Sequence, residues 1–230
     1  MRIQNILKFA LALLFGMGTM TIAWPITGAG SQQLNLGAGG AFPTTINNLS
    51  KYAGPGPTVG ARYLYGIDDY FGVGLQADYY TFASKDTPLD SPAGGQLDAT
   101  FQDSAATLEI LGRYTLIPEA RLVPYLHSGV GLAYFRQKVD GTPLPGSAWS
   151  DTNTTEPRDI QDVRSLGVAF SFGVGVETNI TDRLVMGLES AWHVFGVSRS
   201  TYGTGTLDVP TVLLRLGWRF GRSEPLQAGP

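Results

Sequence analysis

Between Ser165 and Glu177 the chain alternates without a break. Leu166, Val168, Phe170, Phe172, Val174 and Val176 are large and apolar, while Gly167, Ala169, Ser171, Gly173 and Gly175 between them are small. Successive side chains of a strand point to opposite faces, so this segment reads as a strand with one bulky apolar face and one face of minimal size. The same division recurs elsewhere. Phe71, Val73, Leu75, Ala77 and Tyr79 oppose Gly72, Gly74, Gln76, Asp78 and Tyr80. Leu184, Met186, Leu188, Trp192 and Val194 oppose Gly187, Glu189, Ala191 and His193, and Pro210, Val212, Leu214, Leu216, Trp218 and Phe220 oppose Thr211, Leu213, Arg215, Gly217 and Arg219. A soluble barrel would turn its large side chains inward and a charged surface to water. Here the second face is too small and too poor in charge for that, and charged residues are only 15% of the chain. The inverse arrangement fits: bulk outward into lipid, small residues inward into a narrow lumen. A lipid-facing Arg or Lys at the bilayer midplane costs about 2–4 kcal/mol. The apolar faces carry charge only near strand ends, at Arg136, Arg164 and Asp208.

Eight segments have this character: 33–42, 57–67, 70–82, 104–116, 121–137, 163–178, 183–197 and 208–220. The connections alternate in length. Tight turns are expected at Ile67-Asp68-Asp69-Tyr70, Ile117-Pro118-Glu119-Ala120 and Asn179-Ile180-Thr181-Asp182, and longer polar loops at 43–56, 83–103, 138–162 and 198–207. Most segments reach the nine to eleven residues, approximately, that cross a bilayer at a tilt. The fold class expected is therefore all-β, an eight-stranded antiparallel up-and-down transmembrane β-barrel. Short turns and both termini would lie on the periplasmic side and the long loops outside.

The first residues read differently. Arg2 and Lys8 precede an apolar run from Phe9 to Met20, followed by the small-x-Ala site Thr21-Ile22-Ala23, with Thr27-Gly28-Ala29 as a later alternative. That layout is a secretory signal, and its apolar run is shorter than the roughly 20 residues of a membrane-spanning helix. The expected organisation is a signal peptide over 1–23, with cleavage as late as 29, a barrel over 24–220 and a short polar periplasmic tail over 221–230. The chain has no cysteine, which excludes thiolate chemistry and disulfides, and its net charge of −3 offers no footprint for nucleic acid.

Two further sets follow from the alternation. Aromatic residues fall near the strand ends: Tyr65, Phe71, Tyr114 and Trp218, with Phe220, at one rim, and Phe42, Tyr79, Tyr134 and Trp192 at the other. Two such girdles flanking an aliphatic band are the usual anchors of a membrane barrel. The inward charges are Arg62, Arg113, Arg215 and Arg219 against Asp78, Glu109, Glu177 and Glu189, joined by Gln76, His127 and His193. An eight-stranded barrel is just wide enough for side chains to fill it. A balanced set in that space is expected to form a salt-bridged plug, since an unpaired buried charge is costly. His193 is expected to be a hydrogen-bonded lumenal histidine near Glu189. No metal site or cofactor is expected, because the two histidines sit on non-neighbouring strands. Loops 83–103 and 138–162 are each net negative by three, which reads as an acidic solvated surface.

Three phrases carry a family resemblance: Leu122-Val123-Pro124-Tyr125-Leu126-His127-Ser128-Gly129-Val130-Gly131, Gly173-Val174-Gly175-Val176-Glu177-Thr178-Asn179-Ile180-Thr181-Asp182-Arg183, and Leu214-Arg215-Leu216-Gly217-Trp218-Arg219-Phe220. On these the chain resembles the small outer-membrane β-barrels of the OmpA/OmpX-like and opacity-type porin family. The resemblance implies that Trp218 and Phe220 belong to a C-terminal signal read by the barrel assembly machinery. It also implies periplasmic chaperones in transit, and a monomer surrounded by outer-membrane lipids and lipopolysaccharide. The function expected is a non-enzymatic structural or surface-interaction role with a plugged lumen. A narrow porin-like channel is the alternative. A lipid A-modifying enzyme is more distant, because His193 is followed by Val194-Phe195-Gly196 and lacks the His-x-Ser-Asn arrangement of the lipid A deacylases, which share the fold.

Overall fold

The computed structural model describes residues 28–44, 49–91, 95–143, 158–196 and 205–221. Strands β1 (Gln32–Ala41), β3 (Gly56–Gly66), β4 (Phe71–Thr81), β6 (Gly95–Thr115), β7 (Val123–Pro143), β8 (Arg158–Asn179), β9 (Leu184–Gly196) and β10 (Thr206–Phe220) each pair antiparallel with the next. The ring closes where β1 meets β10, from Gln32↔Phe220 to Ala41↔Thr211. Closure removes the sheet edge, as lipid demands, since no water is there to satisfy unpaired backbone groups. Phe220 is the last ladder residue. Gly221 follows in the left-handed region at φ 94°, where its missing Cβ lets the chain turn out of the sheet.

Three tight connections gather at the end that also holds the start of β1 and the end of β10. In the first, the Asp68 carboxylate accepts from the N–H groups of Tyr70 (2.7 Å) and Phe71 (2.6 Å), an Asx-type turn. In the last, Thr181 Oγ1 accepts from Leu184 N at 3.0 Å, while Ile180 N donates to Leu184 O at 2.8 Å. The middle turn is closed by Leu116 N donating to Pro124 O at 2.9 Å.

The opposite, loop end departs from the sequence expectation. The segment 83–103, expected as a loop, is strand on both sides of its tip. β5 (Ala83–Ser91) continues from β4 and pairs with β6 from Lys85↔Phe101 to Ser91↔Gly95. The segment 138–162 likewise begins and ends as strand. β7 runs on to Pro143 and β8 starts at Arg158, with a register shift between Val139 and Asp140. β6, β7 and β8 therefore hold 21, 21 and 22 residues, about twice what a bilayer requires. The physical reason is simple: outside lipid a strand need not show an apolar face, so its alternation disappears while its ladder continues. The connection 43–56 also contains structure, a helical turn α1 (Leu49–Tyr52) and a two-residue strand β2 (Ala53–Gly54) that pairs with β5. β7 starts at Val123 rather than at 121, because Arg121 and Leu122 belong to the turn. The proposed signal peptide and the tail after Gly221 lie outside the described residues.

Burial is inverted relative to a water-soluble protein. Ile110 is 65% exposed and Leu166 64%, whereas Arg62 and Arg113 are fully buried. Arg, Asp and Glu almost never lie wholly inside a soluble domain unless paired. An apolar belt of Leu36, Val59, Leu75, Leu108, Val130 and Leu214 faces outward.

Candidate functional site: the closed lumen

Alternation turns one residue in two of every strand into the lumen, and there long polar side chains meet across it. Glu189 of β9 is the hub. Arg62 of β3 donates to both its oxygens, Nη1 to Oε2 at 2.6 Å and Nη2 to Oε1 at 2.8 Å. Arg215 of β10 donates Nη2 to Oε1 at 2.8 Å, and the Tyr125 hydroxyl of β7 donates to Oε2 at 2.8 Å. His127 Nε2 lies 3.5 Å from Oε1. The network spreads through Arg62 Nε to Gln76 Oε1 (2.7 Å) and from the Gln76 amide to Asp78 of β4, whose Oδ1 is 4.0 Å from Arg215 Nη2. Arg62 on β3 and Glu189 on β9 stand three strands apart around the ring, so this fork bridges non-neighbouring strands across the lumen.

Toward the turn end, Arg113 of β6 donates to Glu177 of β8 at 2.9 Å, and its guanidinium lies 4.0 Å over the Tyr125 ring. Arg219 donates to Asn179 Oδ1 at 2.9 Å. Toward the loop end, Ser171 donates to Glu109, and His193 Nδ1 is 3.1 Å from the Tyr80 hydroxyl and 3.8 Å from Glu109 Oε1. All eight charged residues assigned to the lumen from sequence thus turn inward and are buried. One expectation is corrected. His193 is not beside Glu189, which lies four residues away along the same strand, about 13 Å at a strand's rise per residue. His127 occupies that place instead.

The small residues make this crowding possible. Gly173 pairs directly with His127, Gly175 with Tyr125, and Gly60 with Asp78. A Cβ added at any of these glycines would overlap the side chain of its partner. The long lumenal groups lie over these glycines, which explains the minimal face seen in the sequence.

A second closure was not foreseen. Above the charged layer, Tyr80, Phe82, Phe135, Phe195, Leu207 and Val209 form a buried apolar cluster, covered by Leu49 and Ala53 of the β1–β3 connection. Parity contained the signal. Phe195 continues the inward row Glu189, Ala191, His193, and Phe135 continues Gly131 and Ala133. Side chains therefore fill the lumen at two levels, ion pairs in the middle and aromatic rings at the loop end.

On the outer surface, Tyr65, Phe71, Tyr114, Trp218 and Phe220 line the turn-end rim, and Phe42, Tyr79, Tyr134 and Trp192 the loop-end rim, all facing outward. Tyr70 stacks beside Tyr114, with centroids 6.4 Å apart, and Tyr63 packs at 6.4 Å from Phe220. His193 is fully buried among Tyr80, Phe195 and Glu109, away from any lipid-facing surface.

Three solved structures align with most of this chain. The attachment invasion locus protein Ail of Yersinia pestis, solved with the heparin analogue sucrose octasulfate, aligns at a TM-score of 0.47 and 10% identity, over 84% of this chain and 99% of Ail. The N-terminal β-barrel domain of OprF from Pseudomonas aeruginosa aligns at 0.46 and 14% identity, over 84% of this chain and all of that domain. OprG of the same organism aligns at 0.44 and 15%, over 85% and 98%. No curated protein matches the sequence. The family model for the outer membrane protein beta-barrel domain matches residues 9–220, nearly the whole chain, and this closed eight-stranded barrel belongs to that family of integral outer-membrane barrels.

Proposed function

We propose that the protein is a non-conducting, non-enzymatic barrel that serves as a rigid membrane scaffold for structure or surface interaction. The observation that carries this reading is the double closure of the lumen, by the Arg62–Glu189–Arg215 network and by the Tyr80–Phe135–Phe195 stopper. The three short turns and both barrel ends share one side, and the strands that outrun the bilayer share the other. That asymmetry supports insertion with the termini periplasmic and the extended strands outside. In this reading the protein is a monomer held by its two aromatic girdles among phospholipid and lipopolysaccharide. It is delivered by periplasmic chaperones and inserted by the assembly machinery through the Trp218–Phe220 signal.

Planar-bilayer recording tests the closure. The purified barrel gives no steady unitary conductance in 1 M KCl. A stable open level would replace this reading with the narrow-channel one, the four lumenal arginines lining the path.

A further inference from the structure

Two arginines share the loop-end rim. Arg136 of β7 and Arg164 of β8 stand directly opposite each other in the ladder, on the outward face, one step beyond Tyr134 and its partner Leu166. Like charges placed opposite each other on neighbouring strands repel. Both side chains are open to the surroundings, at 44% and 61%. One carboxylate holds the two: Asp162 Oδ2 lies 3.0 Å from Nη2 of each, and Arg136 Nε donates to Asp162 Oδ1 at 3.2 Å. The cluster thus keeps one positive charge in excess. Across from Arg136, β6 offers the uncharged Ser104, and the next cation along β7, Lys138, is already 3.1 Å from Asp140. This local excess is set in a chain of net charge −3. It lies just past the aromatic girdle residue Tyr134 along the ladder, where a barrel held by that girdle meets the headgroups. A guanidinium fork matches the geometry of phosphate oxygens, and arginine is favoured wherever bidentate phosphate recognition is needed.

We propose that Arg136 and Arg164 form a phosphate clamp for the headgroup of a phosphorylated glycolipid of the lipid A class in the outer leaflet, with Asp162 the carboxylate that the phosphate competes with for their donors. The clamp rests on the orientation proposed above, which puts this rim in that leaflet.

The test uses the full barrel in nanodiscs of zwitterionic phospholipid, titrated with bis-phosphorylated lipid A and read by native mass spectrometry. Arg136→Gln combined with Arg164→Gln weakens retention about tenfold, the loss of charge-assisted hydrogen bonds from both forks. Asp162→Asn removes the competing carboxylate and tightens retention several-fold, a gain that misfolding cannot imitate. Heat-modifiable gel mobility certifies that each variant is folded. Equal retention by the wild type and the double variant overturns the clamp, as does equal retention of lipid A stripped of its phosphates. Displacement by inorganic phosphate at matched concentration overturns the lipid as its source. Orientation is read separately: Ser84→Cys, at an exposed loop-end position and the one thiol in a chain without cysteine, reacts with a membrane-impermeant maleimide on intact cells. Absence of that labelling sinks the orientation and leaves the nanodisc result standing.

Discussion

The same chemical group occurs twice in this molecule, in opposite surroundings. Glu189 is a carboxylate between two arginines, Arg62 and Arg215, with every member buried in the lumen. Asp162 is a carboxylate between Arg136 and Arg164, on the surface. Their distances are alike, 2.6–2.8 Å for the first and 3.0 Å for the second. Their consequences differ because the medium differs. In the lumen the charges have no water to fall back on, so losing one partner strands the others. At the rim, solvent competes for every charge, and the pairing contributes little to holding the barrel together. One cluster is architecture, and the other is a surface free to bind something else.

Deleting the hub gives the largest effect. Glu189→Ala leaves two buried guanidiniums and the Tyr125 hydroxyl without their acceptor and lowers unfolding free energy by about 3–5 kcal/mol. The measurement is reversible urea unfolding in lipid vesicles followed by gel mobility. A variant as stable as wild type would mean that the lumenal network is dispensable. Removing part of the stopper comes next. Phe195→Ala deletes a large buried ring from the apolar cluster and costs about 3 kcal/mol in the same assay. It leaves the ion-pair layer intact, so bilayer recordings still show no steady open level. Smaller again is Gly173→Ala, which drives a Cβ into His127 and into the backbone of β9. Such overpacking costs about 1–3 kcal/mol.

The rim cluster gives the smallest effect and the clearest pH signature. Arg136 and Arg164 hold the Asp162 carboxyl down to about 2 by donating hydrogen bonds to it. An unfolded aspartate titrates near 3.9. With the folded value depressed, the stabilisation is complete above about pH 4 and disappears as pH falls through about 2. Asp162→Asn should therefore differ from wild type in unfolding midpoint by a small margin at neutral pH, by less in 0.5 M salt, and by nothing below pH 2. A margin that grows on acidification would contradict the pairing.

The contrast also marks what the sequence could reveal. Parity assigned the faces of the final strand from Pro210 to Phe220 and put Glu189 and Arg215 in the lumen, because lipid on one side and crowding on the other leave a two-residue period no freedom. The tight turns at Asp68 and Thr181 were legible as short gaps between alternating segments, and each holds its own side-chain acceptor. Partners were not legible. The distance from Glu189 to His193 is fixed along one strand, but which residues of other strands reach Glu189, among them Arg62 and His127, depends on the stagger of the closed ring, and no local pattern encodes that. The β5 extension escaped because Lys85, Asp86 and Asp90 leave its sequence without an apolar period. The stopper was within reach, since Phe135 and Phe195 fall on the inward parity. It was missed where the large-outside, small-inside rule fails near the loop end.

The extended strands have a mechanical consequence. β6, β7 and β8 pass through the bilayer as one ladder and go on for roughly ten further residues at about 3.4 Å each. A loop of that length would wander like a tethered coil. A hydrogen-bonded ribbon behaves as a stiff mast, so the ends of β5 through β8 are held at a set height above the lipid. Whatever meets them there does so at a distance fixed by the barrel, without first having to arrest a moving chain.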